Sequence, residues 1–473
     1  MGITEEKIEK LERSRRIHGT YFTEMDRLYR SAIPVGSTVL EVGCGTGRLI
    51  RALEPCRGVG IDSDPDMIAA ARLLHMDAPE ITFMADFIEA IEWGDIAPFD
   101  YIILSDVVPL LDDVQKVLEK LLKVCSPSTR IILNFHNNIW FPLLHLASMT
   151  GLRRKHIGEN WLSRQDVDNL LYLSGYQPIR SETRVLLPFH VPWITPFFNR
   201  FLAKMPIIKH LCLACFVLAR PAVCSQADLS EPGPSVSILI PTRNERGNIE
   251  AIFQRTPQMG RWTELVFVDG HSTDGTVEAI KIGIERYGGR WENCRLLAQT
   301  GTGKGQAVRQ GFSVCRGDVL MILDSDLTMP PEDLPKYYEA IVSNKGEFIN
   351  GCRLVYPMES RAMRFLNMLA NKVFAVLFTW LLGQPVKDTL CGTKVLWKKD
   401  YDKIAANRAY FGDFDPFGDF DLLFGASRLN LKIVDLPIRY RDRTYGEIKI
   451  SRWTHGMLLI RMCAVAFRKL KLN

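Results

Sequence analysis

Short apolar segments alternate with helix-length segments in this sequence, and the alternation occurs twice. The first series contains TVLEV, GVGI, ITFM, DYIIL and RIILNF, between residues 38 and 135. The second begins at Val236 with VSILI and continues through ELVFV, CRLLAQ, VLMILDSD and EFINGCR. Because repeated strand–helix–strand units build a parallel sheet covered by helices, the pattern predicts an α/β fold class with two doubly wound domains.

The segment between the two series has the composition of a linker. Residues 222–235, AVCSQADLSEPGPS, are small and polar and are interrupted by proline and glycine. A chain of 473 residues is also too long for a single hydrophobic core. We therefore predict one domain over residues 1–221, a linker over 222–235 and a second domain over 236–473.

The overall composition excludes some classes of partner. Charged residues make up 24% of the chain and the net charge is +5, so nucleic acid is not an expected partner. The eleven cysteines are dispersed, and Cys212 and Cys215 lie in an apolar run that favours inert thiols over a metal site. Dispersed cysteines and a charged N-terminus predict a cytoplasmic protein. Peripheral contact with the cytoplasmic face of a membrane and homo-oligomer formation remain open.

Two carboxylates, Asp324 and Asp326, follow the apolar run VLMIL and are separated by one residue. The run predicts a buried strand, so both acids would lie at its carboxyl end, where open α/β sheets bind ligands. Two adjacent acids repel each other unless a cation lies between them, and Mg²⁺ or Mn²⁺ favours carboxylates together with substrate phosphates. The alternative is an acidic turn that caps the strand.

The first series contains a glycine turn after its first strand, Gly43-Cys44-Gly45-Thr46-Gly47. Glycines at this position let the backbone approach a ligand closely and direct a helix N-terminus toward it. One strand later GVGID ends in Asp62, which is placed to bind a ribose, and Asp86 closes the third strand.

These residues resemble the class I S-adenosylmethionine-dependent methyltransferases. VLEVGCGTG is similar to the first motif of that family, and GIDSD, ADFIE and FDYIILSDVVPLL are similar to the next three; the resemblance covers Ser31 to Arg220. A dinucleotide-binding domain is the alternative. The resemblance implies S-adenosyl-L-methionine as cofactor. It places Glu41, Gly43, Gly45 and Gly47 at the methionine end, Asp62 at the ribose, Asp86 at the adenine, and Ser105 and Asp106 near the sulfonium.

Two features of the first domain can each be interpreted in more than one way. His136, directly after the fifth strand, is either a general base on the acceptor side or a packed or capping residue. The aromatic and proline-rich segment from Val185 to Lys209 is a lid over an apolar acceptor, a membrane contact, or a surface that docks the second domain.

The second series carries polar clusters at strand ends, PTRNE and DGHSTDGT, followed by TGTGKGQAVRQGF, which lacks the spacing of a P-loop. Together with the DSD pair they resemble the family 2 inverting glycosyltransferases with a GT-A fold. VKDTLCGTK, FGDFDLL and RDRTYGEIKIS are similar to the branch that makes dolichol- and polyprenyl-phosphate sugars. The match covers Ser235 to Lys469.

That resemblance implies roles for the second domain's residues. Asp324 and Asp326 would bind Mg²⁺ or Mn²⁺ on the diphosphate of a UDP- or GDP-linked sugar. Pro241, Glu245, Asp269 and Lys304 would hold the rest of the donor. The chain departs from the family at two positions: Gly270 stands where a second Asp is usual, and Thr328 where some members have a Gln that helps the metal.

The acceptor decides which further groups the reaction needs. An anionic phosphate needs only cations to position it, and the candidates are Arg353, Arg364, Arg443 and Lys449, each of which could instead be a solvated charge. A hydroxyl acceptor needs a general base. Asp419 and Asp421 lie where the family has an acidic pair, and either could be that base or an anchor for the metal or a loop.

Helical spacing gives the second domain a candidate membrane surface. Ser360, Arg364, Asn367 and Asn371 form a polar stripe on an otherwise apolar segment, and the basic C-terminal segment suits an anionic leaflet. The alternative is a dimer or domain interface.

Taken together, the residues predict a bifunctional transferase. The second domain would transfer a sugar from a nucleotide-sugar to a polyprenyl-phosphate or other lipid-linked acceptor in a metal-dependent, inverting reaction, and the first would methylate with S-adenosyl-L-methionine. The alternative is a glycosyltransferase with a hydroxyl acceptor and a non-catalytic or cofactor-sensing first domain.

Overall fold

The computed structural model describes residues 19–150, 160–222, 233–353, 355, 365–410, 418–438, 440–441, 443, 445 and 452–471, and the side chains of all of these except 365–370, 419 and 452–456. The chain divides into two compact units between residues 223 and 224. Each unit contains one seven-stranded sheet with flanking helices, which confirms the predicted α/β class.

The sheet of the first unit has the strand order β3-β2-β1-β4-β5-β7-β6. Its strands are β1 (Thr38–Val42), β2 (Arg57–Asp62), β3 (Ile81–Ala85), β4 (Phe99–Ser105), β5 (Cys125–His136), β6 (Tyr176–Arg184) and β7 (Ala214–Pro221). Its helices are α1 (Gly19–Ala32), α2 (Arg48–Ala52), α3 (Pro65–Leu74), α4 (Val114–Leu121), α5 (Phe141–Met149), α6 (Arg164–Leu173) and α7 (Ile194–Arg200). The first five strands are parallel, whereas β7 runs antiparallel to both β5 and β6.

Burial explains why this sheet forms where the apolar runs predict it. All eight residues of β7 are buried, and helices on both faces of the sheet cover two separate clusters of core side chains. Cys212 and Cys215 are buried in this region, and burial raises the pKa of their thiols to about 11 and about 12. They are therefore neutral side chains that fill the core.

The sheet of the second unit has the strand order β10-β9-β8-β11-β13-β12-β14. Its strands are β8 (Val236–Thr242), β9 (Thr263–Asp269), β10 (Asn293–Ala298), β11 (Val319–Ile322), β12 (Phe348–Cys352), β13 (Lys394–Trp397) and β14 (Ile433–Pro437). Its helices are α8 (Arg246–Arg255), α9 (Thr276–Tyr287), α10 (Lys304–Val314), α11 (Leu334–Val342), α12 (Phe365–Leu382), α13 (Lys398–Ala406), α14 (Asp419–Arg428) and α15 (Arg452–Ala466). The predicted buried strand before Asp324 is β11, whose four residues are 0% exposed.

Each sheet also contains one antiparallel strand, β7 or β13, which lies outside the two strand–helix series of the sequence. β13 lies between β11 and β12 and is antiparallel to both, as β7 is in the first sheet. An apolar run records that a strand is buried, but strand direction depends on the path of the connecting chain, which the residues of the run do not encode.

One residue of the predicted polar stripe on α12, Asn371, faces the protein. Asn371 is 2% exposed, whereas Val373 and Val376 are 60% and 72% exposed. Of the predicted stripe, Ser360 and Arg364 and the side chain of Asn367 lie outside the described residues. In the part of the chain that the structure describes, none of the helices combines the length and the apolar character needed to cross a membrane.

Candidate functional site

The glycine turn of the first unit lies between β1 and α2 at the carboxyl edge of the sheet. Gly43, Gly45 and Gly47 have φ values of +73°, +54° and +70°, a left-handed conformation that favours glycine. The amide of Gly45 donates to Asp62 Oδ2 at 2.8 Å, which ties the turn to the end of β2. Among the described residues, no atom lies within 4 Å of the position that a Cβ at Gly45 would occupy. At Gly45 the turn therefore faces open space, as a cofactor cradle requires.

The acidic residues predicted around this turn lie at the same edge of the sheet. Glu41 is 3% exposed and accepts a hydrogen bond from the amide of Ile50 at 3.0 Å, so it also anchors α2. Asp62 accepts a second amide hydrogen bond, from Asp64 at 2.9 Å, and Asp86 is exposed at the end of β3. The residues fit S-adenosylmethionine, because glycine amides and carboxylates line an open, partly buried edge.

A polar network beside this edge was not predicted from the sequence. Tyr21 of α1 donates to Asp106 Oδ1 at 2.6 Å, Asn134 Nδ2 donates to the same oxygen at 2.5 Å, and Tyr29 donates to Asn134 Oδ1 at 2.5 Å. Burial and the charge of Asp106 raise the pKa of Tyr21, which keeps its phenol protonated as a donor. His136 lies 5.6 Å from the Tyr21 ring, centroid to centroid. The network holds Asp106, one of the two residues that the family resemblance places near the sulfonium.

Replacing Gly45 by Ala tests the cofactor cradle. We expect Gly45→Ala to weaken binding of S-adenosylhomocysteine about tenfold or more, because the new methyl group occupies the open space where the backbone would meet the ligand. Gly36→Ala is the matched control: Gly36 also has a positive φ, +79°, and no described residue has an atom within 4 Å of its Cβ position, but it precedes the opposite end of β1. Calorimetric titration of both variants measures the difference. Equal affinity in the two variants would contradict the cradle.

In the second unit, Asp324 and Asp326 follow β11 and each binds a cationic side chain. Lys304 Nζ lies 2.5 Å from Asp324 Oδ1, and Arg443 Nη2 lies 2.5 Å from Asp326 Oδ2. Burial alone would raise the pKa of Asp326, but the hydrogen bond and charge of Arg443 outweigh it and lower the pKa. The hydroxyl of Thr328 donates to Asp326 Oδ1 at 2.8 Å. Both carboxylates are thus surrounded by donors and positive charge.

The predicted nucleoside residues lie on the neighbouring strands β8 and β9 or directly after them. Asp269 is 5% exposed and accepts hydrogen bonds from the amide and the hydroxyl of Ser272, at 3.0 and 2.5 Å. Glu245 is 3% exposed and lies 3.9 Å from Arg443, so one guanidinium spans Glu245 and Asp326. The carbonyl of Pro241 accepts from Ser325 Oγ at 2.9 Å. The structure therefore brings these predicted residues together along one edge.

Two glycines allow other segments of the second unit to pack closely against this edge. A Cβ on Gly392 would overlap the carboxylate of Asp324 and the ammonium of Lys304, and a Cβ on Gly418 would lie 2.8 Å from the Cα of Gly305. Gly418 immediately precedes Asp419, the first residue of α14, so the backbone of α14 starts beside α10. The side chain of Asp419 is outside the described residues.

Asp421 is held as an anchor. Its side chain is 6% exposed, and Oδ2 lies 3.0 Å from Arg408 Nε and 3.3 Å from Arg309 Nε. Two guanidinium groups on one oxygen compete with any hydroxyl proton. Among the interpretations left open by the sequence, this geometry favours the loop anchor over a general base.

Arg353 makes a buried ion pair that the sequence did not predict. Its Nε and Nη2 donate to the two oxygens of Asp388 at 2.7 and 2.8 Å, and Asp388 is 0% exposed. Burial would raise the pKa of Asp388, but Arg353 lowers it to about 2. Asn371 of α12 donates to the same carboxylate at 3.2 Å. Of the four predicted acceptor cations, Arg443 lies at Asp326, Arg353 is paired with Asp388, and Arg364 and Lys449 are outside the described residues.

The carboxylate pair fits a hard divalent ion that takes only one or two of its ligands from the protein. Within the described residues there is no cluster of three His, Cys, Asp or Glu that could hold a metal. Mg²⁺ and Mn²⁺ are bound in such sites by one or two carboxylates and complete their shells with phosphate oxygens and water. Asp324 and Asp326, beside Lys304 and Arg443, match that donor set.

Comparison with known proteins finds a match to a transferase family model within each unit. Residues 237–405 match the model for glycosyl transferase family 2, and residues 40–131 match the model for a methyltransferase domain. The chain thus contains a family 2 glycosyltransferase domain and a methyltransferase domain, in the order predicted from the motifs.

Curated relatives match the second unit. The undecaprenyl-phosphate 4-deoxy-4-formamido-L-arabinose transferase of Edwardsiella ictaluri is 26% identical over 222 residues, 45% of this chain and 62% of that protein. The dolichol-phosphate mannosyltransferase of Pyrococcus furiosus is 30% identical over 225 residues, 46% of this chain and 59% of that protein. The chain therefore spans less than two thirds of the length of these relatives.

Solved structures resemble each unit at low identity. The glucosyl-3-phosphoglycerate synthase of Mycobacterium tuberculosis, in complex with Mn²⁺ and UDP, is 19% identical with a TM-score of 0.37, covering 51% of this chain and 81% of that one. A SAM-dependent methyltransferase of Thermotoga maritima is 15% identical with a TM-score of 0.36, covering 46% and 96%.

Proposed function

We propose that the second unit transfers a sugar from a nucleotide-sugar to a polyprenyl-phosphate or related lipid-linked acceptor, with inversion and with a divalent metal. The observation that carries the proposal is the edge where Asp324, Asp326, Lys304 and Arg443 meet beside the buried acids Asp269 and Glu245. Such an edge can bind two chemically different parts of a nucleotide-sugar, the nucleoside and the diphosphate.

The residues of this edge divide the work of donor binding. Asp269 and Glu245, with the Pro241 backbone, would hold the nucleoside, and Lys304 would neutralise the donor phosphates. Mg²⁺ or Mn²⁺ on Asp324 and Asp326 would stabilise the negative charge that develops on the nucleoside diphosphate as it leaves. The lysine and arginine pairs keep both carboxylates oriented before the donor arrives.

An acceptor phosphate suits this arrangement better than a hydroxyl. A phosphate is already anionic and needs no general base. Asp421, one of the two predicted bases, is held by two arginines instead. Arg443, Arg364 and Lys449 remain candidates for the acceptor cradle, and Arg353 would contribute only if it left Asp388.

We further propose that residues 1–221 and 236–473 act as two catalytic domains joined by the linker 222–235. The first would bind S-adenosyl-L-methionine along the glycine turn and methylate the lipid-linked glycan, its carrier or a related intermediate. The exposed Val373 and Val376 on α12, with the cations near the C-terminus, favour a peripheral position on the cytoplasmic face of a membrane.

Nucleotide-dependent thermal stabilisation tests the donor site. A panel of UDP, GDP and their sugars is added to the full chain with Mn²⁺ and with a chelator. One matched nucleotide is expected to raise the unfolding temperature of the second unit, and only when metal is present, because the metal would hold the diphosphate. A ligand at about 100 times its Kd stabilises a folded protein by about 2.7 kcal/mol. Transfer from the matched sugar to a short polyprenyl phosphate then identifies the acceptor class. Absence of stabilisation by every nucleotide would refute the proposal.

A further inference from the structure

Exposed large apolar side chains of the first unit concentrate in two segments, residues 139–149 and 189–211. Trp193 is 90% exposed, Ile207 85%, Met149 74% and Phe189 67%. We call these two segments together the apolar face. Soluble proteins rarely expose a contiguous apolar patch of this extent unless something binds it.

Hydrogen bonds join the two segments into one surface. Trp140 Nε1 donates to the carbonyl of Leu211 at 2.8 Å, and Asn137 Nδ2 donates to the carbonyls of His210 and Cys212 at 3.0 and 3.1 Å. Asn137 directly follows β5, so the apolar face begins at the carboxyl edge of the sheet, where the proposed cofactor site also lies.

The second segment buries two uncharged polar side chains and exposes several large apolar ones. Asn199, 3% exposed, accepts from the amides of Leu186 and Leu187 at 2.9 Å, and the hydroxyl of the equally buried Thr195 donates to the carbonyl of Phe189 at 2.6 Å. The same helix, α7, directs Phe197 outward, 53% exposed, and Trp193 precedes it with φ +66°. Internal hydrogen bonds therefore hold an arrangement that is unfavourable in water and favourable against an apolar phase.

Charge indicates what that phase is. There is no Asp or Glu between residues 137 and 150 or between 185 and 213, whereas the second segment contains Arg200, Lys204 and Lys209. A protein partner typically meets a rim of mixed polar residues, but an anionic lipid surface is matched by cations alone around an apolar, tryptophan-bearing surface.

We propose that the apolar face docks the first unit onto a membrane that contains anionic lipid, with Trp193 and Ile207 entering the headgroup region. Because the face adjoins the carboxyl edge of the sheet, docking presents that edge to the bilayer. If the unit methylates as proposed above, its acceptor is then a molecule embedded in or tethered to the membrane.

Vesicle co-flotation of the full chain tests the docking. Binding is measured to phosphatidylcholine vesicles with and without phosphatidylglycerol. We expect preference for the anionic vesicles, and roughly tenfold or greater weakening in the double variant Trp193→Glu/Ile207→Glu. The matched control Leu73→Glu/Met76→Glu changes two side chains of the same unit that are 66% and 76% exposed outside the apolar face, and it should bind with no loss beyond the effect of two added charges.

A local measurement separates this face from apolar residues of the second unit, such as Val376. Lipids brominated on the upper part of their acyl chains quench tryptophan that enters the membrane interface, and the quenching of the full chain is expected to fall in Trp193→Phe. Unchanged quenching together with unchanged binding of the Glu double variant would overturn the proposal. So would a lipid-free dimer that the double variant dissociates, because the face would then join two copies. Titration with S-adenosylhomocysteine in the same proteins reports separately on the proposed cofactor site.

Discussion

Replacing Asp324 by Asn is expected to lower the rate of sugar transfer about 10²–10³-fold, with the second unit still folded. Asn keeps the size of the side chain but removes the charge that binds Lys304 at 2.5 Å and that would bind the metal. A neutral amide is a poor ligand for a hard divalent ion and leaves the diphosphate charge less stabilised. Initial rates with the matched donor, at several Mn²⁺ concentrations, measure the loss and show whether more metal restores it.

A second aspartate provides the control for this substitution. Asp402 also pairs with a lysine, Lys398, at 2.9 Å, but its side chain is 56% exposed and lies in α13. Asp402→Asn should leave transfer unchanged. Binding of S-adenosylhomocysteine should persist in both variants, because the first unit has its own core. Full, metal-dependent transfer by Asp324→Asn would show that this carboxylate does not hold the donor.

Replacing Asp388 by Asn is expected to destabilise the second unit by about 3–5 kcal/mol. The substitution leaves the Arg353 guanidinium buried without its counter-charge, and it weakens the contact from Asn371 that joins α12 to this centre. Chemical denaturation followed by a probe of the second unit measures the change. Glu332→Gln is the control, because its pair with Arg255 is exposed and should contribute less than about 1 kcal/mol. Similar small effects in both variants would contradict the assigned role of the buried pair.

The same pair predicts a pH dependence of stability. The pKa of Asp388 is about 2 in the folded protein and about 3.9 in an unfolded chain. Because the folded value is the lower one, the stabilisation is complete above pH ~4 and is lost as the pH falls toward 2. The stability difference between the native chain and Asp388→Asn should therefore shrink below pH ~4. A difference that stays constant from pH 6 to 2.5 would be inconsistent with an ionised, paired Asp388.

Local patterns predicted the parts of both sites that lie on single strand ends. The apolar run before Asp324 is enough to predict a buried strand with a carboxylate at its end, because a short run of apolar residues is itself the signal of a buried strand. The glycine turn at Gly43–Gly47 is equally local, because the positive φ angles at its glycines depend on adjacent residues. Motif order then identified both families.

Partners that are distant in the chain escaped prediction. Tyr21 and Asp106 are 85 residues apart, and Arg353 and Asp388 are 35 apart. Any of several acids could have paired with Arg353, and only the insertion of β13 between β11 and β12 brings the Asp388 loop to it. The same uncertainty made Arg353 and Asp421 resemble surface or catalytic groups in the sequence, although both are held in buried ion pairs.

The sequence also did not show which side of each amphipathic segment faces the core. Periodicity shows that α12 has a polar edge and that the segment around α7 mixes aromatic and polar residues, but not which side meets the core. The structure places Asn371, Thr195 and Asn199 inside. By itself the sequence predicted two α/β units, the families that their motifs resemble and the candidate strand ends for ligand binding, because these depend on residues a few positions apart. Only the tertiary structure decided which charges neutralise one another and which apolar faces remain uncovered, because both follow from where distant segments pack.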